Sequence, residues 1–127
     1  MLDYAALRGQ IVGALSVAEC QTLARVAAST TASRALEVGH YLGLSTAVLL
    51  DALPADCELV TIDHHQGDMW APAVPESDFL GNVSSFVGDR EFVAINDDMV
   101  SALPNLSAGF GFVFYDADHT ASAVAEF

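Results

Sequence analysis

The residues best suited to chemistry lie between an apolar, strand-like run and a helix-like stretch, within Ala35–Thr46. This segment contains Glu37, Gly39 and Gly43. Glycine lets a ligand approach the main chain, and free N–H groups at the start of a helix attract a carboxylate. Asp63 closes the next strand-like run, where it can accept two hydrogen bonds from the vicinal hydroxyls of a ribose. Together these residues predict an adenosine-type nucleotide site.

The spacing of the two glycines narrows the class of ligand. A dinucleotide-binding turn favours Gly-x-Gly-x-x-Gly, whereas this sequence has Gly39-x-x-x-Gly43 with little basic character around it. Such a turn suits a ligand without phosphates, such as S-adenosylmethionine with its sulfonium cation. Glu37 is then expected to face the cationic amino-acid end of the ligand or its water shell.

The elements that must position these residues alternate along the chain. Apolar residues recur at helical spacing across residues 3–30, where Ser16 and Glu19 resemble a capping box and predict two short helices. The predicted strands are residues 34–38, 58–62, 91–95 and 110–115. The predicted helices that follow are residues 45–53, 77–87 with Ser77 as the cap, 97–104 begun by Asp97, and one from about Thr120.

This alternation predicts an α/β fold, a Rossmann-like doubly wound parallel sheet of about four strands with helices on both faces. The short, continuously apolar strands agree, because central parallel strands are covered on both sides. We predict an N-terminal helical segment at residues 1–30 and a Rossmann-like domain at residues 31–127. Ligands of such sheets lie beyond the carboxyl ends of the strands.

The composition of the chain limits its partners. Seventeen acidic residues face four arginines, giving a formal charge of −13, which disfavours nucleic acid and anionic membranes. No apolar run reaches the roughly 18–20 residues of a membrane span, and the N-terminus lacks the pattern of a signal peptide. We therefore expect a cytoplasmic protein in which Cys20 and Cys57 are buried free thiols.

Four segments, in order and at ordinary spacing, resemble motifs of the class I S-adenosylmethionine-dependent methyltransferases, in the small-molecule O-methyltransferase subgroup. They are Glu-Val-Gly-His-Tyr-Leu-Gly-Leu-Ser-Thr at 37–46, Val-Thr-Ile-Asp at 60–63, Asp-Asp-Met at 97–99 with Leu-Pro at 103–104, and Phe-Val-Phe-Tyr-Asp-Ala-Asp-His at 112–119. The resemblance implies S-adenosylmethionine as the cofactor and transfer of its methyl group to a small-molecule acceptor, by O-methylation.

The same resemblance implies roles for individual residues. The methionine end of the cofactor would lie against Glu37, Gly39, Tyr41, Gly43 and Ser45. The ribose would meet Asp63 and His64, and the adenine Asp97 or Asp98, although Asp97 replaces the usual glycine. That aspartate pair could equally cap the following helix. Asp116 would help to hold a divalent metal such as Mg²⁺ or lie near the methionine amine.

The four histidines all follow predicted strands, so they are expected at one edge of the sheet. His40 and His65 are expected to pack on a bound nucleoside or to hydrogen-bond near it. His119, with Asp116 and Asp118, could supply a general base or a metal site, since imidazole and carboxylate suit both roles. These last three residues are the candidate catalytic residues.

The end of the chain leaves the enzymatic status of this chain alone open. Sheets of the resembled family normally have about seven strands, and the sequence stops inside a predicted helix after the fourth, so a truncated fold is expected. An uncovered edge of the fourth strand would invite pairing with another chain, which predicts a homo-oligomer. Two alternatives to an active methyltransferase stay open: a non-catalytic S-adenosylmethionine-binding or assembly module, and a histidine- and aspartate-rich metal-binding α/β protein.

Overall fold

The computed structural model describes residues 2–67 and 72–117. Its strands are β1 (Arg34–Val38), β2 (Glu58–Asp63), β3 (Phe92–Asn96) and β4 (Phe112–Tyr115). They form one sheet in the order β3-β2-β1-β4, and every neighbouring pair is parallel. The predicted Rossmann-like parallel sheet is thereby confirmed, and the predicted strand bounds differ from the observed ones by at most two residues.

The helices are α1 (Tyr4–Gln10), α2 (Val17–Ser29), α3 (Leu44–Ala52), α4 (Glu76–Val87) and α5 (Met99–Ala102), followed by a 3-10 helix at Leu103–Asn105. The division of residues 3–30 into two helices is confirmed: the Ser16 hydroxyl accepts from the Glu19 N–H, and the Glu19 carboxylate accepts from the Ser16 N–H. The helix expected from about Thr120 lies outside the described residues.

Two predicted helix starts are wrong. The helix assigned to a Ser77 cap begins at Glu76 and is preceded by Pro75, whose ring fixes a backbone angle compatible with entering a helix. The helix assigned to begin at Asp97 has Asp98 as its N-cap, because the Asp98 carboxylate accepts from the N–H of Ser101. Where neighbouring residues are both suited to the N-cap position, the backbone conformation determines which of them occupies it.

The connections place helices on both faces of the sheet. The chain moves from β1 through β2 to β3 in one direction, so right-handed crossovers put α3 and α4 on one face. There they share a hydrophobic core with α1 and α2. The return from β3 to β4 passes on the other face, where α5 and the 3-10 helix pack over Leu36, Val38, Val60 and Ile62.

The C-terminal end of α3 is held by one arginine. The Arg90 guanidinium donates four hydrogen bonds of 2.5–3.0 Å to the backbone carbonyls of Leu50, Leu53, Pro54 and Cys57. The last carbonyls of a helix have no partner within the helix itself, so Arg90 supplies donors to Leu50 and Leu53 at the end of α3 and to the turn that follows it. This links the turn before β3 to the end of α3.

Cys20 and Cys57 are buried free thiols, as predicted. Among the helices that the structure describes, none is long and apolar enough to cross a lipid bilayer. The predicted boundary after residue 30 stays a prediction. In the structure, α2 packs directly against α3 within the shared core.

Candidate functional site

The loops that follow all four strands meet at the carboxyl edge of the sheet. They surround a cavity of about 290 Å³ whose lining includes Gly39, Tyr41, Asp63, Asp97 and Asp116. The two neighbours of β1 in the sheet are β2 and β4. The connection to β2 runs over one face of the sheet and the connection to β4 over the other, and a crevice opens between them at the carboxyl ends of the strands. The turn after β1 and the acid that ends β2 therefore share one open pocket.

The turn after β1 depends on glycine. Gly39 has φ +91°, and a Cβ at this position would collide with the backbone carbonyl of Asp116. Gly43 has φ +102° and is the N-cap of α3, with no side chain capping the helix. Both positions are left-handed, which glycine adopts readily. The turn thus brings bare backbone against the cavity, and within the described residues no side chain caps the start of α3.

Glu37 lies beneath this turn, fully buried. Its carboxylate accepts hydrogen bonds from the hydroxyls of Ser45 (2.6 Å), Thr46 (2.5 Å) and Thr61 (2.8 Å). Burial raises the pKa of Glu37 to about 7, with the three hydroxyl donors opposing the rise. Glu37 does not line this cavity, so in this geometry it supports the turn from below. A direct ligand contact of Glu37 stays a prediction.

Asp63 joins the two loops that border the cavity. Its Oδ2 accepts from the backbone N–H of Tyr41 at 2.8 Å, and its Oδ1 accepts from the backbone N–H of His65 at 2.9 Å. Burial alone would raise the pKa of Asp63, but these two backbone hydrogen bonds lower it overall. An ionised carboxylate has lone pairs beyond the two used here. Asp63 can therefore still accept ribose hydroxyls.

Two of the three histidines in the described part of the chain form a buried pair. His40 and His65 are buried and hydrogen-bonded to each other through their Nε2 atoms at 2.9 Å. The ring of His40 also stacks on Phe79, with centroids 3.7 Å apart, and burial lowers its pKa to about 3. His64 is exposed and lines the cavity, where its Nδ1 accepts from the Gln66 N–H. His119 lies outside the described residues.

The segment after β3 supplies two further acids to the wall of the cavity. The Asp98 carboxylate accepts from both the N–H and the hydroxyl of Ser101, and Asp97 accepts from the N–H of Asp98. The hydrogen bonds from Ser101 lower the pKa of Asp98. Asp98 thus caps α5 while both acids border the cavity. The two roles expected for this pair are compatible.

A second cavity, of about 360 Å³, lies on the other side of the same turn. It is lined by the loop between α1 and α2 (residues 12–15) and by residues of the turn from His40 to Ser45. It shares Gly39, Tyr41 and Asp116 with the first cavity. The glycine turn therefore separates two spaces that could hold two different molecules side by side.

Asp116 borders both cavities, while Asp118, which follows it, lies outside the described residues. Within residues 2–67 and 72–117, no group of three or more His, Cys, Asp or Glu side chains is arranged to hold a metal ion. The metal role of Asp116 and the catalytic roles of Asp116, Asp118 and His119 stay predictions.

Sequence reasoning missed the polar network under the turn. Thr46 and Thr61 looked like ordinary members of a helix and a strand, yet both are fully buried with their hydroxyls on Glu37. Phe79, in the middle of α4, gives His40 its stacking partner. A buried threonine in an otherwise apolar strand was the one available sign, since buried hydroxyls need partners.

A family model described as a methyltransferase domain matches residues 36–127. The chain is similar to an O-methyltransferase from Streptomyces achromogenes involved in tomaymycin synthesis, solved in complex with SAM, with 27% identity, coverage of 82% of this chain and 45% of that chain, and a TM-score of 0.59. It is also similar to an O-methyltransferase from Bacillus cereus in complex with SAH, with 23% identity, coverage of 91% and 50%, and a TM-score of 0.63.

A SAH-bound methyltransferase from Podospora anserina shares the fold at 19% identity, with coverage of 90% of this chain and 47% of that chain and a TM-score of 0.63. No curated protein sequence matches the chain closely enough to count as a relative. The chain spans about half the length of the solved structures it resembles, between 45% and 53% of the first three.

Proposed function

Because the chain belongs to the methyltransferase domain family, we propose that it binds S-adenosylmethionine and takes part in transfer of the methyl group to a hydroxyl of a small molecule. One observation carries this proposal: the glycine turn after β1 and Asp63 at the end of β2 border the same cavity at the carboxyl edge of the sheet. The Streptomyces O-methyltransferase solved with SAM, at 27% identity, supports the choice of cofactor.

The residues of the turn and of the strand ends fit an adenosyl ligand. The ribose hydroxyls would donate to Asp63, whose carboxylate is held ionised by backbone N–H groups. The adenine would lie by Asp97 and Asp98, with His64 beside the ribose. The amino-acid end would lie along the backbone of the turn at Gly39 and Tyr41, which border the same cavity.

The acceptor would lie on the other side of the turn, in the second cavity. S-adenosylmethionine supplies an already electrophilic methyl group when bound, so the protein mainly contributes proximity, orientation and exclusion of water. An acceptor hydroxyl must lose its proton during transfer, and a nearby carboxylate or imidazole can take it. Asp116, which borders both cavities, is the proposed base, with Asp118 and His119 following it in sequence.

We further propose a cytoplasmic homo-oligomer without nucleic acid or membrane partners. The charge of −13 opposes binding to phosphate-rich surfaces. In the part of the chain that the structure describes, β4 pairs with β1 alone, and an uncovered strand edge favours pairing with another chain. Sedimentation at several protein concentrations measures the oligomeric state, and a monomer at all of them would contradict the oligomer.

Titration calorimetry with S-adenosylhomocysteine tests the cofactor site. Asp63→Asn should weaken binding by about tenfold or more, because it replaces an oxygen acceptor by an amide donor. Asp89→Asn, the same change at an exposed acid after α4, should leave binding unchanged. Absence of binding by the wild-type chain, or equal loss in both variants, would contradict the proposed function. Transfer to hydroxyl acceptors, with and without Mg²⁺, then separates an active enzyme from a binding module.

A further inference from the structure

A continuous network of hydrogen bonds runs from Glu37 to His65 beneath the turn after β1 and the loop after β2. The Thr61 hydroxyl donates to Glu37 Oε1 at 2.8 Å, and the hydroxyl oxygen of Thr61, Oγ1, lies 2.8 Å from His40 Nδ1. His40 Nε2 lies 2.9 Å from His65 Nε2. All four side chains are buried, so water does not compete for these contacts and each proton must have a definite place.

The positions of the protons follow from the Glu37 carboxylate, which can only accept hydrogen bonds. Thr61 has one hydroxyl proton, which it gives to Glu37, so its oxygen must accept from His40 Nδ1–H. His40 is neutral, since burial holds its pKa far below neutrality. Its Nε2 therefore carries a lone pair, and the only donor that can face it is Nε2–H of His65.

This hydrogen-bond network connects the two loops that border the first cavity. His40 belongs to the turn after β1, and His65 belongs to the loop after β2. The backbone of His65 has φ +61°, an uncommon conformation for a residue with a side chain, which surrounding contacts must hold. In that conformation its N–H donates to Asp63 Oδ1 at 2.9 Å. The orientation of the His65 ring thus bears on the placement of the Asp63 carboxylate.

We propose that His40 and His65 are positioning residues of the nucleoside site: a hydrogen-bonded pair, with the proton on Nδ1 in His40 and on Nε2 in His65, that fixes the loop after β2 against the glycine turn and so sets Asp63 for its ligand. The positioning role rests on the proposed S-adenosylmethionine site. The arrangement of protons does not.

Two amide substitutions at His65 distinguish a hydrogen-bonding role of this side chain from a packing role. The amide nitrogen of glutamine lies as many bonds from the backbone as Nε2 of histidine, whereas that of asparagine lies as far as Nδ1. His65→Gln keeps a donor for His40 and should bind S-adenosylhomocysteine within about threefold of the wild type. His65→Asn loses that donor and should bind about tenfold more weakly, as expected for one lost buried hydrogen bond.

Nitrogen-15 NMR of the wild-type protein at pH 8 tests the proton arrangement without any ligand. The expected spectrum has a protonated Nδ1 and a bare Nε2 in His40, and the reverse in His65. The same tautomer in both rings would overturn the inference, as would equal affinities of His65→Asn and the wild type. If the wild type fails to bind S-adenosylhomocysteine, the proposed function and the positioning role fall together, and the NMR spectrum still decides the state of the pair.

Discussion

Replacing Glu37 with glutamine is expected to alter how the free energy of unfolding depends on pH. Burial raises the pKa of this carboxyl in the folded state to about 7, from an ordinary value of 4.5. The folded protein then binds the proton more tightly than the unfolded chain does. The resulting stabilisation is fully present below pH 4.5 and is lost as the pH rises through 7.

The size of the effect follows from the two pKa values. Each unit of difference corresponds to about 1.4 kcal/mol, so between pH 5 and pH 8 the contribution of Glu37 to the unfolding free energy falls by about 2.5 kcal/mol. Glutamine has no proton to exchange. The wild-type value minus the Glu37→Gln value should therefore fall by that amount over this range, while other titrating groups contribute equally to both proteins.

Urea unfolding at half-unit steps from pH 5 to pH 8 measures this difference. Glu91→Gln is the matched control, since it makes the same change at an exposed glutamate, and its difference from the wild type should vary much less with pH. A Glu37→Gln difference that stays constant with pH, or that grows as the pH rises, would refute the reasoning from burial.

Three further predictions concern other residues. Burial lowers the pKa of His40 to about 3, so the contribution of neutral His40 to the free energy of unfolding is lost as the pH falls below 6.5. Urea unfolding should show that the free energy of unfolding of the wild type, minus that of His40→Asn, falls by about 2 kcal/mol from pH 8 to pH 5. Gly39→Ala should weaken S-adenosylhomocysteine binding at least tenfold by calorimetry, because its Cβ has no room, whereas Gly9→Ala, in open space on α1, should not. Arg90→Met should lower the unfolding free energy by about 2–3 kcal/mol by removing four hydrogen bonds from backbone carbonyls; a loss below half of that would contradict its capping role.

The sheet was predictable because each strand and helix can be recognised from residues that are adjacent in the sequence. Each strand is a short apolar run ended by a glycine or a polar residue, and each intervening stretch has a helical pattern or helix caps. The order of these elements, with the handedness of parallel crossovers, leaves few arrangements. It also places the ends of β1 and β2 at one edge, so that the convergence of Gly39 and Asp63 could be foreseen.

The network beneath the turn was not predictable, because its hydrogen-bond partners are far apart in the sequence. Thr61 and Glu37 are separated by 24 residues in sequence and meet only because β1 and β2 pair in one register. The stacking of His40 on Phe79 likewise depends on how α4 packs. Sequence reasoning placed Glu37 toward the cationic end of a ligand and did not foresee the three hydroxyl donors that surround its carboxylate in the structure.

A crystal structure of the protein grown with S-adenosylhomocysteine examines the central claim most directly. We predict electron density for a nucleoside at the carboxyl edge of the sheet, with its ribose hydroxyls on the Asp63 carboxylate and its amino-acid end along the backbone at Gly39. A nucleoside bound elsewhere, or one at this edge that touches neither residue, would contradict the account.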